Sequence, residues 1–334
     1  MLPIFSVSNI QYLYICRVKV KKSNMNKPLE NKHPLIQLIA MLGLSLISLL
    51  LVMIVGFVIG AAVWGNDFTS AFLDASKNEN YIEYMKYLQI LSHLGMFIVP
   101  ALIFGRLSGG NTISYFTLNK STGIAVFFAA LLLIAFAQPF INILVEWNQG
   151  LKLPDSMSST QQWMQQSEDE ANKMTELFMT TGTVSGLMVN LLMMALIPAI
   201  GEELVFRGVL QRLLVRWFRS AWIGITVASV IFSAIHVQFF GFVPRFVLGF
   251  VLGFVFQVSG RLWISIFIHF LNNSLAVITY WLYANKTISV SPDDIANFNN
   301  NIPVLLISIV LFLASFVLFQ RVVANNRKKT APTP

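Results

Sequence analysis

The chain has 334 residues, 56% of them hydrophobic and only 11% charged, with 28 Phe. Soluble globular domains carry about 25% charged residues, so the composition excludes a soluble enzyme with one large core and indicates a polytopic membrane protein. The net charge is +8 and there is a single cysteine, Cys16, which excludes an internal disulfide framework and any cysteine-rich metal site.

The first 24 residues include the apolar run "LPIFSVSNIQYLYIC". Basic residues follow this run rather than precede it, the wrong order for a secretory signal. Met25 opens a more ordinary cytoplasmic leader, "MNKPLENKHP", and is the alternative start; His33 at its end reads as a surface residue. A helix needs about 20 mostly apolar residues to cross the hydrocarbon core. Segments 35–64, 87–105, 123–145, 183–201, 221–240, 243–258, 262–284 and 302–325 meet or approach that length. The expected fold is therefore all-α, with about eight transmembrane helices. One membrane domain, 35–325, lies between a basic leader, 1–34, and a short tail, 326–334. The sixth span is the weakest, being short and starting beside Pro244 and Arg245. Segment 146–182 is the one sizeable polar stretch and reads as an amphipathic surface helix capped by Ser159 or Thr160.

Lysine and arginine set the orientation of such a chain. With both termini in the cytoplasm, the inner segments hold 17 of the 23 Lys and Arg, including Arg17, Lys19, Lys21, Lys22, Arg327, Lys328 and Lys329. The outer segments hold the other 6, and 12 of the 15 acidic residues. The basic excess is thus a topology signal and not a nucleic-acid site. The expected location is the cell (inner) membrane.

Residues 201–210 read "GEELVFRGVL". Ionisable residues are costly within a membrane, so Glu202, Glu203 and Arg207 read as functional. Glu203 and Arg207 are four apart with the acid first, the favourable order for a helical ion pair. Glu202 points about 100° away round the helix and has no local partner. Of the four histidines, His93 lies in the second span with no motif around it and reads as a packing or polar-cavity residue. His236 and His269 each belong to a pair four residues apart, Phe232 with His236 and His269 with Asn273. Glu202 and His236 both lie 17 residues from position 219, so an antiparallel hairpin would bring them to similar depth. His269 is less well matched, only about 12 Å along its helix from Arg261 against about 25 Å for the other two. The Gly249–Gly253 pair has the GxxxG spacing of close helix packing.

Together "EELVFR" (202–207), "FSAIH" (232–236) and "HFLNN" (269–273) match the ordered motifs EExxxR, FxxxH and HxxxN. Over about 183–284 the chain resembles the CPBP (CAAX protease and bacteriocin-processing, Abi) family of intramembrane proteases, which includes the type II CAAX prenyl endopeptidases. The resemblance implies an intramembrane endopeptidase. In it Glu202 would be general base, His236 its partner in activating water, and His269 with Asn273 the oxyanion stabilisers. Glu203, Arg207 and Phe232 would support the site. The implied partners are the lipid bilayer and a membrane-associated protein or peptide substrate, lipidated in the CAAX enzymes. A zinc scheme would use Glu202, His236 and His269 as three ligands, enough for an open catalytic site; the HExxH pattern is absent, and the metal-free scheme is favoured. Two other classes stand beside the protease: a non-catalytic immunity or scaffold protein, and a proton-coupled transporter, against which no inverted repeat is seen.

Overall fold

The computed structural model describes residues 27–71, 80–119, 122–289 and 302–330. Cys16, Met25 and the basic residues from Arg17 to Lys22 lie outside the described residues. The fold is all-α, with no strand among the described residues. Nine principal helices follow in order. They are α1 (Pro34–Ala71), α2 (Tyr81–Gly109), α3 (Ile124–Gln149), α4 (Ser158–Met179) and α5 (Val184–Phe218), then α6 (Ala221–Ala234), α7 (Phe242–Ser259), α8 (Leu262–Ala284) and α9 (Ile302–Thr330). Seven spans among the described residues are long and apolar enough to cross a membrane, and α6 is a shorter apolar helix of 14 residues.

Two boundaries differ from expectation and both matter to the site. The fourth span does not stop at 201 but runs on to Phe218, so Glu202, Glu203 and Arg207 sit mid-helix. The fifth stops at Ala234, leaving His236 in a turn rather than inside a helix. Helix α4 also starts earlier than expected. Its cap position is Met157, with no side-chain capping bond, and Ser159 and Thr160 lie in its first turn.

The exterior is apolar and much of the polar inventory is inside. Ile39, Leu42, Leu46 and Leu50 on α1 are exposed, as are Leu306, Ile307 and Val310 on α9. Gln37, Asn190, Glu202, Glu203, Arg207, Gln211 and His269 are buried. In lipid that arrangement is the economical one, because apolar side chains lose nothing by facing acyl chains while polar groups need protein partners. Helix α5 is the hub, packing against α2, α6, α7 and α8; α3 and α9 form a pair that closes the far side of α7.

The α5–α7 contact shows how small residues set register. A Cβ on Gly249 would lie 3.1 Å from the Phe232 ring, and one on Gly253 2.8 Å from Gln211 Oε1. The bare backbone instead lets Arg207 donate to the Gly249 carbonyl and Gln211 to the Gly253 carbonyl, each at 3.0 Å. The four-residue spacing of the glycines thus meets the four-residue spacing of the two donors. The GxxxG pair packs within the bundle.

Three π-helical turns lie beside the site, at Leu94–Ile98, Leu191–Leu196 and Phe206–Gln211. The first two come just ahead of Pro100 and Pro198. Proline lacks an N–H and its ring clashes with the carbonyl four residues back; a widened turn absorbs that conflict without breaking the span, and such turns recur at functional sites.

Candidate active site

Glu202 and Glu203 lie on α5 between two of the π turns. The expected ion pair is present: Arg207 Nη1 is 2.8 Å from Glu203 Oε1, with side chains 2% and 0% exposed. Arg207 also lies 4.7 Å from the centre of the Phe232 ring, a cation–π contact. That ring meets His236 and His269 edge-on, at centroid distances of 5.2 and 6.1 Å. Phe232 is therefore the apolar partition that packs the guanidinium on one side and steers two imidazoles on the other.

Glu203 has a second partner that local spacing does not reveal. His269 Nδ1 donates to its Oε1 at 3.0 Å. A carboxylate only accepts, so Nδ1 carries the proton and Nε2 is turned to Glu202, 3.9 Å from Oε2. This contact shows that the packing of α8 against α5 overcomes the depth mismatch seen in the sequence. On the other side of Glu202, His93 Nε2 is 3.9 Å from Oε1. The carboxylate thus stands between two imidazoles, one from α2 and one from α8. His93 lines the polar cavity that holds Glu202, a position that no motif in the sequence marks; its place as the last residue before a π turn is the one local signal.

His236 is brought in differently. Its Nδ1 donates to the Phe232 carbonyl at 2.8 Å, which leaves Nε2 as the unprotonated nitrogen of the neutral ring. It shares the cavity with Glu202, with no nitrogen–oxygen pair within 4 Å among the described residues. The turn that carries it includes Val237 at φ 52°, a left-handed conformation that costs a β-branched residue about 1–3 kcal/mol. Neighbours hold it there. Asn148 at the end of α3 donates to the Phe239 carbonyl and accepts from the Val243 amide. Glu168 on α4 accepts from Gln238 and from the Phe240 amide, each at 3.3 Å. Arg245 donates to Gln238 Oε1 at 2.6 Å.

Asn273, one turn after His269, donates to the Met194 carbonyl of the second π turn at 3.2 Å. A carboxamide has two N–H donors, so this bond orients the group and leaves one. Glu202, His236, His269, Asn273 and His93 all line one cavity of about 470 Å³. No three His, Cys, Asp or Glu side chains are grouped to hold a metal ion among the described residues; the bond from His269 Nδ1 to Glu203 fixes that ring and leaves Nε2 facing the cavity.

Residues 184–275 match the family model described as Type II CAAX prenyl endopeptidase Rce1-like. Neither the curated proteins nor the solved structures contain a match to the chain. The matched stretch contains all three motifs and α5 to the middle of α8. Over that stretch the chain is similar to that family, and its seven long apolar spans make it an integral multi-pass membrane protein.

Proposed function

We propose that the protein is an intramembrane endopeptidase in which Glu202 and His236 activate water against a peptide bond. The observation that carries this is the convergence of Glu202, His236, His269 and Asn273 on one cavity from α5, the α6–α7 turn and α8. Glu202 is 7% exposed and pairs with no lysine or arginine among the described residues, which leaves its carboxylate to take a proton. The neutral His236 ring presents Nε2 as a second acceptor, so a water between the two is polarised from both sides. Its oxygen attacks the carbonyl carbon, Glu202 holds the proton, and the same proton passes to the departing amine as the C–N bond breaks. The Asn273 amide, oriented by Met194, donates to the oxygen that becomes negative. His269, with Nδ1 bound to Glu203, presents Nε2 at the same site as the second oxyanion contact. Such donors act on charge that develops in the transition state and are worth about 2.7–4 kcal/mol each.

The decisive variant is Glu202→Gln. It keeps the shape of the side chain and removes the base. Proteomics of membranes carrying wild type or Glu202→Gln should show precursor polypeptides that stay uncut only in the variant. Identical terminal-peptide profiles at equal protein levels would sink the reading and favour a scaffold or immunity role.

A further inference from the structure

The catalytic cavity does not stand alone. It shares Thr175, Arg245, Leu248 and Asn272 with a second, larger cavity of about 1200 Å³. The larger space runs between α3, α4 and α8, and its walls carry an unusual density of carboxamides. Gln138, Asn142 and Gln149 come from α3, Gln165 and Asn172 from α4, and Asn272 from α8. Gln138 and Asn272 tie two of these walls together at 2.9 Å.

The mouth of this space faces one side of the molecule. It is bounded by α4, the 238–241 turn and the ends of α3 and α8 near Gln149 and Tyr283. No residue of 110–119, 219–220 or 260–261, the described connections at the opposite ends of the helices, lines either cavity. Those connections and the helix ends beside them carry Arg106, Arg212, Arg216, Arg219 and Arg261, with Lys32 and Arg327 on the same side, whereas the mouth side carries Lys152, Lys173, Arg245 and Lys286 beside Glu146, Asp155, Glu168, Asp169, Glu170 and Glu176. By the distribution of positive charge, the mouth side is outside the cytoplasm.

We infer that the carboxamide cavity is the substrate channel and that it takes an extended polypeptide segment presented at the outer face of the membrane. This rests on the protease reading above. Each carboxamide has an acceptor and two donors, the complement of a backbone C=O and N–H, and such pairing is indifferent to side-chain sequence. Gln138 and Asn272 already bond each other and Gln165 bonds Asp169, but an acyl chain would leave Asn142, Gln149 and Asn172 without partners. The space also exceeds the roughly 300–1,000 Å³ that small-molecule sites enclose. The substrate class is therefore an exported or outward-facing polypeptide, not the cytoplasmic tail of a protein.

The test uses the full chain with Cys16→Ser and one introduced cysteine at a time. In intact cells a membrane-impermeant maleimide should label Asn142→Cys, in the wall of the channel, without permeabilisation. Arg219→Cys should label only after the membrane is opened. In the purified protein, a short unstructured peptide with blocked ends should protect Asn142→Cys, and a lysolipid should not. Labelling of Asn142→Cys only after permeabilisation, or protection by lysolipid and not by peptide, overturns the inference. An uncut-precursor profile unchanged in Glu202→Gln would overturn the protease reading instead, while leaving the accessibility result standing.

Discussion

Glu202 and Glu203 are adjacent, chemically identical and assigned opposite work by their surroundings. Glu203 is fully buried between Arg207 and His269, so it holds a cation and orients an imidazole at once. Removing its charge strands a buried guanidinium, a change that costs about 3–5 kcal/mol. Glu203→Gln is therefore expected to reduce the yield of folded protein and its melting temperature in detergent. Glu202→Gln should melt like wild type; matched losses in the two variants would refute the division of labour. His93 permits a separate test. It approaches the Glu202 oxygen that His269 does not and lies in the cavity wall, so we propose that it positions the carboxylate. His93→Ala should lower kcat by about tenfold, equivalent to ~1.4 kcal/mol, with KM little changed. His93→Gln, which keeps a donor, should recover part of the loss. A raised KM with unchanged kcat would assign His93 to substrate binding instead.

Among the helices, α5 carries the acids, and α7 determines how its outer neighbours seat against them. The Gly249 and Gly253 carbonyls receive Arg207 and Gln211 because no side chain intervenes. A valine at 253 would push its Cβ within 2.8 Å of Gln211 Oε1 and 3.0 Å of the Ile225 side chain. Overpacking of this kind costs about 1–3 kcal/mol. Gly253→Val should lower the melting temperature and weaken activity through α5, while alanine, which adds the same Cβ without valine's two further methyl groups, should be milder; equal melting curves for wild type and valine would show that the register is held elsewhere. Helix α4 works by a different route, through polar anchoring. Glu168 reaches the turn that bears His236, so the surface helix is part of the scaffold of the site.

At the level of the whole molecule, charge sets the orientation and the interior sets the chemistry. From the lysine and arginine bias we propose that α4 lies outside and the end of α9 inside. In a Cys16→Ser background, a cysteine at Ser159 should react with an impermeant reagent added to intact cells, and one at Lys328 should not. Reaction at Lys328 would invert the topology, and with it the outer-face channel.

Much of this protein was legible before its fold was known, and the reasons are local. Long apolar runs announce helices in lipid because the backbone has no other way to satisfy its polar groups there. Four-residue spacings announce the Glu203–Arg207 pair, the His269–Asn273 pair and the glycine seam, because neighbours at that distance share a helix face. What the chain alone left open was everything that crosses from one helix to another. Helical rise placed His269 too near its own turn to reach Glu202; the packing of α8 against α5 brought it to Glu203. A helical reading put His236 inside a span, whereas Asn148 and Glu168 hold it in a strained turn. His93 shows no motif because its partner is 109 positions away in sequence, at Glu202. Sequence determined which groups the membrane would tolerate; only the tertiary structure decided which of them meet, because contacts between helices depend on tilt, register and turn level, and none of these is encoded within a single turn of the chain.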